Sequence, residues 1–438
     1  MSWYTSLSTP PAGYVETQAL IAALDRCFIV GFANLSQADW DALAAVERVL
    51  VGSPLATAFA DCCTALRSNT FVAEQFATLA ATRISLQGAL HDALLAQLRG
   101  ALNRPLPSSA PVLLPNQTTA PIEASIRHWL MEVALLGFAR LDAEAVTPFL
   151  KTLETVQSDP ARIALASLLT GFMNELMRFV PVSDSADVPS YRWVDLWSQG
   201  MLLSFGSAEI DPAPVSGTLE LYGLDLRQTA HVVSFVLHGV LQTDGDPQQV
   251  RITQSAYKVD SIRGKELWLL FPHAKTLLTA FSATKQLAID TMPLLPTGDL
   301  IWNDEQATVG KKFKQLVQAE QFFAPDATSP ALCWTLPANR HPIQLAEPIF
   351  LEKSADIVWA DQRVASEHEL DPATFEKADA AFGLLRFDAG EWHFQPLTVG
   401  RKGTKFIGQA AGKLASKPPK RSSVSLLQER ASRLLRAS

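Results

Sequence analysis

Apolar residues recur three and four positions apart through the first part of this chain, and at every second position through much of the remainder. The first spacing keeps one face of a helix apolar and the second keeps one face of a strand apolar. Helices are therefore expected over residues 17–28, 37–51, 54–70 and 72–102, where Ala and Leu dominate. Ser36 and Gln37, ahead of Ala38-Asp39-Trp40, form an N-terminal cap region, since a small polar side chain can accept from helical amides that lack partners.

Between residues 103 and 121 stand Pro105, Pro107, Pro111, Pro115 and Pro121 among Ser, Thr and Asn, a linker or long loop because each proline removes a donor. Pro121 sits where a first helical turn tolerates it, and Ile126, Trp129, Leu130, Val133 and Leu136 follow at helical spacing. Asp159-Pro160 then opens a further helix whose stripe is Leu165, Leu168, Leu169, Phe172, Met173, Leu176 and Val180. Such a stripe is core, because burying one face is what holds most helices in place. Residues 181–190 are expected to end the helical half.

Beyond them Leu219 and Leu221 alternate before Gly223, and Leu224 and Leu226 alternate after it, as in a strand with a bulge. Residues 232–241 are apolar on both faces and predict a central strand covered twice, with Asp244-Gly245 turning into a second strand over 250–259. Further strands are expected at 267–271, 286–291, 313–323, 331–336, 349–352 and 357–360, with a hairpin of 384–387 and 391–395 and a short helix over 274–281. No repeat of fixed period is apparent.

The expected class is α+β: helices first, then a mostly antiparallel β-rich region, then a flexible basic C-terminal tail. The divisions are a helical domain over 1–102, the loop over 103–120, a helical segment over 121–180 packing with the first, a β-rich domain over 191–399 with a break near 304–310, and the tail over 400–438. At 438 residues, with 48% hydrophobic and 18% charged residues, core material is ample and a surface partly covered by partners is expected. The start Met1-Ser2-Trp3-Tyr4 has no basic n-region or apolar h-region, which points to the cytoplasm. The apolar run 230–241 contains His231, Ser234 and His238 and falls short of the roughly 20 residues that span a bilayer.

Candidate chemistry is sparse. Cys27, Cys62, Cys63 and Cys333 form no CxxC pair, and adjacent Cys62 and Cys63 diverge around a helix, so thiols packed in the core are expected. His231 and His238 fall on opposite faces of a strand and cannot share a metal. His368-Glu369 lacks its zincin partner, since Pro372 stands where the second His belongs. His91, His128, His273, His341 and His393 stand alone. Gly310-Lys311-Lys312 lacks the upstream glycine and following hydroxyl of a phosphate loop, and no GxSxG elbow occurs. Asp244 with Asp246, and Asp304 with Glu305, lie in expected turns where carboxylates are solvated. No catalytic, cofactor or metal residue is nominated, and the sequence leans against an enzyme. The alternative is a site assembled from dispersed residues, such as His231 or His238 with an acid from another strand.

Charge changes the picture. Residues 401–438 carry ten Lys or Arg against Glu429 alone, so the net charge of −7 is a +9 tail on a −16 body. Residues 408–423 are too poor in apolar groups to fold alone and read as a tether. Val424, Leu427, Ala431, Leu434 and Leu435 then lie three or four apart beside Arg430, Arg433 and Arg436, a cationic amphipathic helix over 424–436 with Ser425 and Gln428 as its capping box. Gly400-Arg401-Lys402-Gly403 resembles the GXXG loop of KH domains, but that loop joins two helices, whereas residues 391–399 read as a strand; a basic turn is expected.

A solvated tail accounts for the charge but not for the leucine stripe. Docking into an acid-rimmed apolar groove, on another protein or on the acidic body itself, accounts for both. Nucleic acid is the alternative, through Arg401, Lys402, Lys405, Lys413, Lys417, Lys420 and Arg421, although Phe406 is the tail's one aromatic residue. The short helix without Trp or Phe argues against a membrane surface. The expected function is a non-enzymatic binding or scaffold subunit of a cytoplasmic multiprotein assembly, with residues 424, 427, 430, 431 and 433–436 as its contact surface.

Overall fold

A computed structural model of the chain describes residues 3–106, 120–159, 162–206, 212–228, 232–259, 261–327, 345–353, 376–388, 390–401 and 405–409. Helices come first, as the spacing predicts: α1 (Tyr14–Val30), α2 (Gln37–Val49), α3 (Ala56–Arg67), α4 (Ala73–Ala101), α5 (Pro121–Leu136), α6 (Ala143–Val146), α7 (Phe149–Gln157), α8 (Ile163–Phe179) and α9 (Ser190–Leu203). Ser36 caps α2 in a reciprocal box with Asp39, and Pro121 occupies the first turn of α5. Most of the proline-rich segment lies outside the described residues.

One connection between helices occurs twice in the helical half. Gly31-Phe32-Ala33-Asn34-Leu35-Ser36 and Gly137-Phe138-Ala139-Arg140-Leu141-Asp142 each end a helix, make one 3-10 turn and cap the next helix. Both glycines have φ of 92°. The Gly31 amide donates to the Cys27 carbonyl at 2.9 Å, and that of Gly137 to the Val133 carbonyl at 3.0 Å. Ser36 and Asp142 each accept from a first-turn amide. Phe32 meets Phe76 edge-on at 5.8 Å, and Phe138 meets Trp193 edge-on at 5.6 Å. No fixed period exposes this relation, because beyond the short Gly-Phe-Ala-x-Leu segment it is geometry that repeats.

The strands are β1 (Ala213–Gln228), β2 (Val232–Gln242), β3 (Gln248–Tyr257), β4 (Lys285–Leu294), β5 (Ala307–Lys312), β6 (Leu345–Glu352), β7 (Ala380–Asp388), β8 (Glu391–Arg401) and β9 (Lys405–Gln409). Among the described residues they make two antiparallel sheets, A in the order β3-β2-β1-β4-β5 and B in the order β6-β7-β8-β9. Helix α10 (Lys275–Ser282) packs beneath sheet A, and α11 (Gln315–Phe323) runs beside β1 and sheet B. The bulge expected near Gly223 lies between Leu221 and Gly223.

Four layers follow from which side chains share a core. One face of sheet B, with Ile349, Leu385, Phe387 and Phe394, joins the helical core; Tyr14 of α1 meets Phe387 edge-on at 5.0 Å. Its other face, with Phe350, Phe382, Leu384 and Leu397, packs with Tyr222 and Val240 of sheet A and with α11. The far face of sheet A, with Leu219, Leu224, Phe235 and Ile252, closes on α10. Both sheets are thus covered twice where they overlap, which is why β2 and β8 are buried along most of their length on both faces.

Several expectations are corrected. The helical half runs past residues 181–190: α9 follows, burying Trp193, Trp197 and Met201 against α4 and α8, so the start of the expected β-rich domain at 191 is helical. Residues 264–270 form a 3-10 helix rather than a strand over 267–271, held between Gly264 at φ 58° and Pro272. Residues 315–323 form α11 rather than part of a strand, because Leu316, Ala319 and Phe323 share one helical face in the core. The region assigned to a basic tail from residue 400 begins instead as a hairpin, with β9 adding an edge to sheet B. The strands expected at 331–336 and 357–360, and the helix expected at 424–436, lie outside the described residues.

Candidate functional site

Several charged groups of the core are placed where layers or helices meet. Arg83 of α4 is fully buried and donates through Nε to Asp25 Oδ1 at 2.6 Å and through Nη2 to Asp25 Oδ2 at 3.1 Å, a paired contact with α1. Its Nη1 reaches Asp195 of α9 at 3.1 Å, and Gln199 also donates to Asp195 at 2.8 Å. Two carboxylates thus flank one guanidinium in a largely buried cluster. Burial accordingly raises the Asp25 carboxyl to about 6 despite the Arg83 contacts, and raises that of Asp195 in the same direction.

Glu347 of β6 is the converse, one buried carboxylate between two guanidinium groups. Arg99 at the end of α4 lies 2.9 Å away, and Arg104, just beyond, lies 3.4 Å away while donating to the Ala324 carbonyl at 2.6 Å. Burial raises the Glu347 carboxyl even so. The cluster ties the helical bundle to sheet B.

The two sheets are tied by Asp225 of β1, which accepts from Arg386 of β7 at 2.8 Å and from Gln395 of β8 at 3.3 Å. Thr398 donates to the Tyr222 carbonyl at 2.6 Å beside it. Glu220, on the same strand, is fully buried and accepts from the Tyr222 hydroxyl at 2.7 Å, from Gln242 at 3.1 Å and from Gln286 at 2.5 Å. The Gln318 amide of α11, with its nitrogen toward Glu220, adds donors at 2.9 Å. Burial, then the Glu220 charge, pushes the Tyr222 hydroxyl well above its ordinary range, so it stays a proton donor.

The residues nominated from sequence fall as follows. Arg401 is the exposed last residue of β8, and Lys405 opens β9 opposite it, so the elements on either side of the glycine-rich motif are strands, whereas a KH loop joins helices. Lys402, Lys413, Lys417, Lys420, Arg421 and residues 424–436 lie outside the described residues, as do His231 and Cys333. His238 is buried on β2 opposite Arg251. Asp304 accepts from the Thr276 amide at 3.0 Å and the Trp302 indole at 2.8 Å, a structural task at the start of α10. Cys27, Cys62 and Cys63 are buried free thiols, pushed by burial to about 12, about 12 and about 11. Among the described residues no three His, Cys, Asp or Glu gather as metal ligands, and no helix is long and apolar enough to cross a membrane.

The buried ion clusters join residues far apart in the sequence. One signal was available: Arg83 continues the stripe Phe76, Leu79, Ala80, Leu90, Leu94 of α4, a core position that a cation occupies only with partners. Compared with known proteins, no family model matches the chain, and neither a curated protein nor a solved structure matches it.

Proposed function

We propose that the chain is a non-enzymatic binding or scaffold subunit of a cytoplasmic multiprotein assembly, which docks through the cationic amphipathic segment at residues 424–436. The observation that carries this reading is the division of charge, ten Lys or Arg against one acid over residues 401–438 on a body of −16. The leucine stripe within the same segment supports it, since a short amphipathic helix gains order chiefly by burying its apolar face. The buried acids and bases of the body support it further: each cluster bonds one layer or helix to another, work suited to a rigid platform. The root of the tail is β9, the outer strand of sheet B. Affinity capture with the full chain and with a chain lacking residues 424–438 but keeping β9, its fold checked by circular dichroism, tests the reading. Loss of a bound protein supports it; an unchanged set of partners removes it.

A nucleic-acid binder using Arg401, Lys402, Lys405, Lys413, Lys417, Lys420 and Arg421 is the second reading, favoured by the exposed Arg401 at the hairpin end. It predicts binding that weakens steeply with salt.

A further inference from the structure

Strand β5 is the last strand of sheet A, and among the described residues nothing pairs with its outer side. Its inner side pairs with β4: Val309 lies opposite Leu287, the register shifts before Lys312 meets Lys285, and Ala307 and Val309 pack on the core above α10. Thr308, Gly310, Lys311 and Lys312 are exposed. An open edge offers a row of amides and carbonyls to any extended chain, and folded proteins guard such edges with charge.

The guard here is one-signed. Lys311 and Lys312 end the strand, Lys314 follows, and Lys312 stands directly opposite Lys285 of β4. Like charges directly opposite on paired strands are destabilising. Among the described residues no acid lies within ion-pair distance of these four lysines, although the body as a whole is strongly acidic. Asp304 and Glu305, which precede β5, lie at the opposite end of the strand.

We propose that the β5 edge is a docking site for an acidic extended segment of another protein, added as a further strand of sheet A. Backbone pairing with β5 supplies affinity, and carboxylates of the guest beside Lys285 and Lys312, which stand opposite each other, supply selectivity and relieve the like-charge pair. The same lysines exclude two other occupants. A second copy brings the same lysines again into a short seam, and the chain's own C-terminal tail is itself basic.

Fluorescence anisotropy of the full chain with three labelled probes at low salt tests this. The first is a short peptide alternating glutamate and valine. The second has proline in place of each valine, with equal charge but every second amide donor removed. The third is a single-stranded oligonucleotide of matching charge. Binding of the first alone is expected, weakened by about tenfold or more in the K311E/K312E variant, whose thermal midpoint checks that it is folded. Equal binding of the proline peptide, binding of the oligonucleotide as tight as that of the first probe, no binding of the first probe, or an unaffected folded variant would each overturn the proposal.

Discussion

Gly31 and Gly137 lie backbone against backbone at the centre of the helical half. A Cβ on Gly137 would stand 2.5 Å from the Gly31 amide nitrogen, and one on Gly31 would strike the carbonyl oxygens of Leu135 and Leu136. Both residues also have φ of 92°, a conformation other residues adopt only under strain. G31A and G137A are each expected to destabilise the protein by about 3 kcal/mol or more, from backbone strain and forced separation together. Urea unfolding followed by helical circular dichroism measures this, and a change below about 1 kcal/mol in either would contradict the packing described.

Gly223 does for the two sheets what this pair does for the helices. A Cβ there would lie 2.7 Å from Phe382 Cε1 and 2.8 Å from Leu397 Cβ, so sheet A approaches sheet B only because the side chain is absent. G223V is expected to cost about 1–3 kcal/mol by overpacking, seen as a lower urea midpoint. An unchanged midpoint would mean that the sheets part easily.

The helical stripes and the bulge at Gly223 were legible in the sequence because each depends on near neighbours. The short run Leu267–Leu270 was not, since a few consecutive apolar residues fit a strand or a helical turn equally well. Residues 315–323 already carried helical spacing in Leu316, Ala319 and Phe323, but the aromatic residues around them resembled a strand. The α9 stripe, Trp193, Trp197 and Met201, lay hidden behind the break at Pro181–Ser190. The ion clusters were least legible, because Arg83 finds Asp195 across 112 residues and Arg104 finds Glu347 across 243. No local pattern encodes such pairings, and the candidate contact residues of the tail were legible only as charge and spacing.

The cluster at Arg83 makes stability depend on pH. Asp25 is raised in the folded state from its ordinary 3.8 to about 6. Between those values the folded protein holds more protons than the unfolded chain, so this group's contribution rises as pH falls from 7 through 6 toward 4. Replacing the carboxylate with an amide removes that dependence. Urea midpoints of the wild type and D25N at pH 7 and pH 5 should converge at the lower pH; a difference that stays constant would contradict the assignment.

Removing Glu347 leaves two guanidinium groups buried without their shared acid. E347A is expected to cost about 3–5 kcal/mol. Because Glu347 joins α4 to sheet B, the loss should also loosen one from the other, and amide exchange should increase in β6 and the last turn of α4 before elsewhere. Uniform exchange, with little change in stability, would show that the cluster is not the tie between these layers.

The claim that the C-terminal segment docks through its apolar face is tested most directly by comparing two variants of the full chain in affinity capture at physiological salt. One carries L427D and L434D; the other carries K413E, K417E, K420E and R421E. The docking account predicts that the aspartate variant loses the bound protein while the glutamate variant retains most of it. Retention by the aspartate variant, or loss confined to the glutamate variant together with release of nucleic acid, would contradict it.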